Sequence, residues 1–121
     1  MASRFTELVV DSHDPERLAA FWQAVLGCPT LERADDGGPY VWIGGGGAPL
    51  EIIFVPVPET KAVKNRLHID VSPSDRDQAE EVERLLALGA QHTDVGQGDA
   101  SWVVLTDPEG NEFCVLSSRV D

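Results

Sequence analysis

His68 and Asp70 stand two residues apart in the run Arg66-Leu67-His68-Ile69-Asp70-Val71. If that run is a strand, both side chains point to one face. An imidazole oriented by a neighbouring carboxylate can act there as acid or base near neutral pH. The bland alternative is a histidine that only hydrogen-bonds inside a polar recess. Trp42 and Trp102 fall on similar strands further along the chain. They can wall a pocket for a planar ligand, or simply pack. Arg66 can meet an anionic group, or be an ordinary surface arginine. Trp22 lies on a helical stripe and reads as core, while His13 and His92 read as exposed.

The elements that must position these residues occur twice. Residues 4–55 and 66–117 each read as a strand, a helix ending in Leu-Gly, and three short strands. Leu26-Gly27 and Leu88-Gly89 lie 62 positions apart. A repeat of half the chain is too long and too few for a solenoid. The expected fold is α+β: two βαβββ modules forming a curved eight-stranded mixed sheet around a cleft, one helix per module on the outer face. The whole chain, 1–121, is expected to be a single domain, with modules at about 4–57 and 65–118. The polar stretch from Val57 to Lys61 is the natural joint.

In the first module, Phe5–Val10 reads as a strand, with Leu8 and Val10 on one face and Glu7 and Val9 on the other. Asp14-Pro15-Glu16 is a helix start, because Asp caps, Pro suits the first turn and Glu favours the positive end of the dipole. Leu18, Phe21, Trp22 and Val25 recur at helical spacing, and Gly27 suits the left-handed stop. Strands are expected near 30–33, 40–43 and 50–55. The glycine tract 44–47 is a turn; it lacks the GK[ST] and helix of a phosphate loop. In the second module, Arg66–Val71 reads as a strand, with Leu67, Ile69 and Val71 sharing a face. Ser74 with Asp77 is read as the cap of a helix whose buried stripe is Val82, Leu85 and Leu86. Strands are expected near 90–95, 102–105 and 112–116. Asp107-Pro108-Glu109-Gly110-Asn111 is a tight turn.

Composition excludes several classes. Nine Lys and Arg against 21 Asp and Glu give a net charge of −12. That argues against nucleic acid, whose phosphates need a basic face, and disfavours an anionic membrane surface. It permits a cationic ligand, although solubility alone also explains it. No apolar run approaches the roughly 20 residues of a membrane helix, and the start MASRFTELVVD lacks a signal-peptide core. The two cysteines, Cys28 and Cys114, form no CxxC pair. A reduced, cytoplasmic setting is the default expectation.

Three segments, DPERLAAFWQAVLG, KNRLHIDV and TDPEGNEFCVL, together resemble the vicinal oxygen chelate superfamily, in its compact glyoxalase-like branch. That superfamily includes glyoxalase I, extradiol dioxygenases and bleomycin-resistance proteins. The resemblance covers nearly the whole chain. It speaks for the fold more than for the reaction, because one fold hosts many chemistries.

In metal-using members, four cleft-facing side chains from the first and last strands of each module bind a divalent ion. Carried over by spacing, the resemblance implies Glu7, Glu51, His68 and Cys114 as that set, with Glu7 matched to His68 and Glu51 to Cys114. Imidazole and carboxylates suit Zn, Ni, Mn or Fe. Cys114 departs from the family's His, Gln or Glu. Either the thiol favours a softer ion, or it is a buried filler and the metal site is lost.

The resemblance implies a lyase- or isomerase-type enzyme acting on a small oxygenated organic molecule. A metal would polarise vicinal oxygens, and Glu7 or Glu51 would move a proton. Without a metal, His68 and Asp70 remain as the acid–base pair. The alternative is a metal-free protein that sequesters a drug-like or cationic ligand, as bleomycin-resistance members do. A dioxygenase is disfavoured, because those resemble a two-histidine, one-glutamate set and only one histidine is in phase. A homodimer is expected by resemblance.

Overall fold

The computed structural model describes residues 2–34 and 39–117. The chain divides into two compact units, Met1–Thr60 and Lys61–Asp121. The expected end of the second module at 118 lies outside the described residues.

The first unit runs β1 (Glu7–Ser12), α1 (Pro15–Leu26), β2 (Thr30–Arg33), β3 (Val41–Gly44) and β4 (Glu51–Pro56). The second repeats the order: β5 (Asp70–Val71), α2 (Gln78–Leu88), β6 (Gln91–His92), β7 (Val103–Thr106) and β8 (Glu112–Val115). The fold is thus α+β, two βαβββ modules with one helix each. The eight strands form two mixed four-stranded sheets, ordered β1-β4-β3-β2 and β5-β8-β7-β6. In each, the first and last strands of the module pair in parallel, and the remaining pairs are antiparallel.

Helix α1 starts and stops where its sequence dictates. The Asp14 carboxylate accepts the Arg17 N–H at 3.2 Å, Pro15 occupies the first turn, and Gly27 closes the helix at φ 63°. A left-handed φ there costs glycine nothing, whereas a Cβ would penalise it. Leu18, Phe21, Trp22 and Val25 are buried, and α1 packs on β3 and β4, whose Val41, Ile43, Ile52 and Phe54 are buried in turn. Each such side chain contributes roughly 1.5–3 kcal/mol by leaving water. Phe21 and Trp22 meet edge to face at 5.4 Å.

Helix α2 begins later than Ser74. Its N-cap is Asp77, whose carboxylate accepts the Glu80 N–H at 2.8 Å while Glu80 accepts the Asp77 N–H at 3.2 Å. This reciprocal box satisfies two orphan donors at once, so it fixes the start at Gln78. Val82 and Leu85 are buried as expected, but Leu86 is only half-buried and Glu81 joins them at 6% exposure. Glu81 tolerates burial because Arg84 grips both its oxygens at 2.8 Å.

Two expected strands are shorter than their sequence suggests. β5 covers only Asp70–Val71, and Leu67 is 82% exposed rather than sharing a face with Ile69 and Val71. Upstream of Ile69 the backbone is held by a side chain instead of a ladder: the Asn65 N–H donates to Glu112 Oε1 at 2.8 Å. β6 stops at His92 because local bonds capture the residues just beyond it. Gly96 N–H donates to the Asp94 carboxylate at 2.7 Å, and Val95 N–H to Gln97 Oε1 at 2.9 Å.

Candidate functional site: a His–Asp–Cys cluster on the second module

The parallel pairing of β5 with β8 places Asp70 directly across from Cys114. The Cys114 N–H donates to the Ile69 carbonyl at 3.0 Å, and the Leu116 N–H to the Val71 carbonyl at 2.8 Å, which fixes that register. His68 precedes Asp70 by two residues, and its Nδ1 lies 3.0 Å from Asp70 Oδ1. Donor atoms of His68, Asp70 and Cys114 all lie within 4.8 Å of one another. Side-chain exposure is 46% for His68 and 47% for Asp70, whereas Cys114 is 7% exposed. The thiol is the buried floor of the cluster, and the imidazole and carboxylate open to solvent.

Two devices hold this floor in place. The β7–β8 turn is built on Asp107, which is 3% exposed. Its Oδ1 accepts the N–H groups of Glu109 at 2.9 Å and Asn111 at 3.0 Å, and Oδ2 accepts Asn111 Nδ2 at 2.9 Å. Gly110, at φ 88°, makes the turn possible. At the first residue of β8, Glu112 accepts Lys61 Nζ at 2.9 Å and the Asn65 N–H at 2.8 Å. That tie anchors the segment leading into His68 on the strand that carries Cys114.

The electrostatics keep the thiol protonated. Burial pushes the Cys114 thiol above its ordinary value. The negative charge of Asp70, and the hydrogen bond its carboxylate accepts from the thiol, push it further, while Lys64 pulls the other way. Cys28, also a buried free thiol, is raised chiefly by burial.

In the first unit, Glu7 stands across from Glu51 in the β1–β4 register. Glu7 is half-buried and Glu51 exposed. Asp70 lies 63 positions after Glu7, and Cys114 lies 63 after Glu51. Every pair of the β1–β4 and β5–β8 ladders is 44 residues apart, so the register sets Glu7 across from Glu51 and Asp70 across from Cys114. Trp42 is half-buried on the Glu51 side of β3, in register with Ile53. Trp102 is 42% exposed and precedes β7, one residue short of the expected strand. His13, His92 and Arg66 are exposed, and Trp22 is core.

Sequence spacing singled out His68, Asp70 and Cys114, but it assigned Asp70 to acid–base work only. Its place beside the thiol was missed, although the 44-residue separation shared by Glu7–Glu51 and Asp70–Cys114 is the signal that could have found it. The buried Asp107 and the Glu112 tie were also missed as supports of the site.

Among the described residues, no helix is long and apolar enough to cross a membrane. No curated protein matches the chain. Solved structures do. The fosfomycin resistance protein FosX from Mesorhizobium loti is 17% identical, with a TM-score of 0.71 over 98% of this chain and 94% of that one. FosX from Listeria monocytogenes is 18% identical, with a TM-score of 0.71 over 98% and 93%. That Listeria protein has also been crystallised with Mn(II) and sulfate; in that form it is 17% identical, with a TM-score of 0.70 over 98% and 92%. A hypothetical protein from S. aureus is 19% identical, with a TM-score of 0.65 over 98% and 99%. At these identities the likeness is one of fold. The glyoxalase-like domain model matches residues 7–116, nearly the whole of both modules, and so the chain belongs to the glyoxalase-like family of the vicinal oxygen chelate superfamily.

Proposed function

We propose that this protein is a metal-assisted lyase or isomerase acting on a small oxygenated organic substrate at the His68–Asp70–Cys114 cluster. The observation that supports it is the convergence of three different donor types within 4.8 Å, two of them open to solvent. Imidazole, carboxylate and thiol are all ligands of divalent first-row ions, and three protein ligands leave a position for substrate. When bound, such an ion polarises neighbouring oxygens of a substrate.

The chain's own residues do the rest. Cys114 fixes the depth of the site, because the β8 ladder holds its backbone. Asp70 holds its carboxylate 3.0 Å from His68 Nδ1, close enough for one ion to take both. Glu7 and Glu51, across from each other in the β1–β4 register, are proposed as general acid–base carboxylates, work that positioned carboxylates perform with gains of about 10²–10⁴-fold. Trp42 and Trp102 are proposed as aromatic ligand contacts. A single functional domain, a homodimer and a cytoplasmic setting belong to the same proposal; two buried free thiols accord with the last.

The test is turnover of a panel of 2-oxo compounds, their thiol adducts and small epoxides, fosfomycin among them because the FosX neighbours are fosfomycin resistance proteins. His68→Ala should abolish both bound metal and turnover. Glu51→Gln should lower turnover by about 10²-fold or more with metal retained. Turnover unaffected by His68→Ala would sink the reading.

A second reading is sequestration without chemistry. It is favoured by the exposed Trp102 and the net charge of −12, which suit an aromatic cation. Tryptophan quenching by such a ligand, with the ligand recovered unchanged from metal-free protein, would establish it.

A further inference from the structure

We infer that the His68–Asp70–Cys114 cluster is a thiolate site selective for zinc-like ions, in which Cys114 rather than a carboxylate sets the metal preference and Asp70 is the third ligand. The inference rests on the functional reading above and specifies its metal. It stands on three observations.

First, the donor set is mixed. Carboxylate and imidazole accept both Mn(II) and zinc, but thiolate selects the softer ion, and Mn(II) already binds weakest in the first-row order. The site therefore does not fit the Mn(II) found in the Listeria FosX crystals. Second, the spacing suits a small tetrahedral ion. Zinc bonds of 2.0–2.3 Å set their donors roughly 3.3–3.8 Å apart. The cluster's widest separation, at most 4.8 Å, needs to close by about 1 Å. The His68–Asp70 contact of 3.0 Å is already near that spacing. Third, the register makes Asp70 unavoidable. It lies across from Cys114 on the adjoining strand, nearer in the ladder than His68. An ion bound by His68 and Cys114 must sit beside its carboxylate.

Binding involves no change of oxidation state. The Cys114 thiol proton leaves to solvent as the sulfur–metal bond forms. Asp70 loses the thiol as a hydrogen-bond donor and gains the ion as partner. One further position stays open for water or substrate.

The experiment uses the full chain, stripped of metal by chelator and titrated separately with Co(II), Zn(II) and Mn(II). The expected result is a sulfur-to-cobalt charge-transfer band in the near ultraviolet at one equivalent of Co(II). Cys28→Ser should keep that band and Cys114→Ser should lose it. Groups outside the ligand shell already carry about 10–100-fold in metal affinity. Cys114→Ser should therefore weaken zinc at least that much while leaving Mn(II) within about three-fold. Cys114→Glu should raise Mn(II) affinity, read from the resonance signal of unbound Mn(II). Asp70→Asn should weaken zinc about 10–100-fold with the cobalt band retained.

A native chain whose cobalt complex lacks the sulfur band overturns the inference without recourse to any variant. So does a ratio of zinc to Mn(II) affinity that Cys114→Ser leaves unchanged. Failure of the functional reading looks different: zinc bound through Cys114 with no turnover of any substrate. Turnover with a metal that ignores Cys114 would keep the function and discard this inference.

Discussion

Asp70 faces Cys114 across the parallel β5–β8 pairing, and its carboxylate accepts the thiol's hydrogen bond. A negative charge beside a buried thiol favours the protonated form. In the metal-free protein Cys114 should therefore be a sluggish nucleophile. Asp70→Asn removes the charge while leaving the burial. The apparent pKa of Cys114 should fall, though not below that of an ordinary thiol. Alkylation rate against pH in a Cys28→Ser background reads this directly. An unmoved or rising pKa would show that Asp70 does not govern the thiol.

Glu112 gives a pH-dependent stability. Burial acts to raise its pKa, but the Lys61 ammonium and the Asn65 N–H outweigh that, and its carboxyl ends below the usual value. A carboxylate depressed in the folded state stabilises fully above its unfolded pKa, and loses that contribution as pH falls through the folded value. Glu112→Gln should cost about 1.5–3 kcal/mol at neutral pH, the usual range for hydrogen bonds to charged groups. Urea unfolding should find the gap from the native chain closing in acid. A gap that widens in acid would contradict the sign.

The β7–β8 turn depends on one buried carboxylate. Asp107→Ala strands the N–H groups of Glu109 and Asn111 and the Asn111 side chain. The cost should be about 2–3 kcal/mol. Because β8 carries Cys114, zinc affinity should fall with it. Thermal unfolding and zinc titration on the same variant check both effects, and a loss under 0.5 kcal/mol, roughly the surface range, would remove Asp107 from the site's support.

Gly46 cannot be replaced. Its φ is 59°, and a Cβ would run into the Gly27 carbonyl oxygen. Gly46→Ala should destabilise by more than about 1 kcal/mol through the backbone alone. Gly98, also at positive φ, has open space around it. Gly98→Ala should cost only that backbone penalty, about 1–2 kcal/mol, and Gly46→Ala measurably more. Equal costs in chemical denaturation would refute the steric part of the argument.

The chain's local instructions were readable from its residues. Asp14-Pro15 and Gly27 bound α1, the spacing of Leu18, Phe21, Trp22 and Val25 names its buried stripe, and the doubled pattern gives βαβββ twice. These features are legible because caps, helical periodicity and turn residues act over a few neighbours. Where a competing local device was stronger, the reading slipped. The Asp77–Glu80 box moved the start of α2 past Ser74; β5, by contrast, begins only at Asp70, and upstream of it Asn65 N–H is tied to Glu112, 47 residues away, which no local pattern encodes.

The sequence by itself determined the family of the fold, the two-residue spacing of His68 and Asp70, and the presence of one out-of-pattern thiol. Only the tertiary structure decided which carboxylate that thiol meets. Motif spacing placed His68 two residues from Asp70; the ladder set Asp70 across from Cys114. Strand register is fixed by backbone hydrogen bonds between segments some 44 residues apart, and a slip of one residue would turn every side chain to the other face. No pattern of neighbouring residues encodes that choice, so the chemistry of the cluster appears only once the two strands are paired.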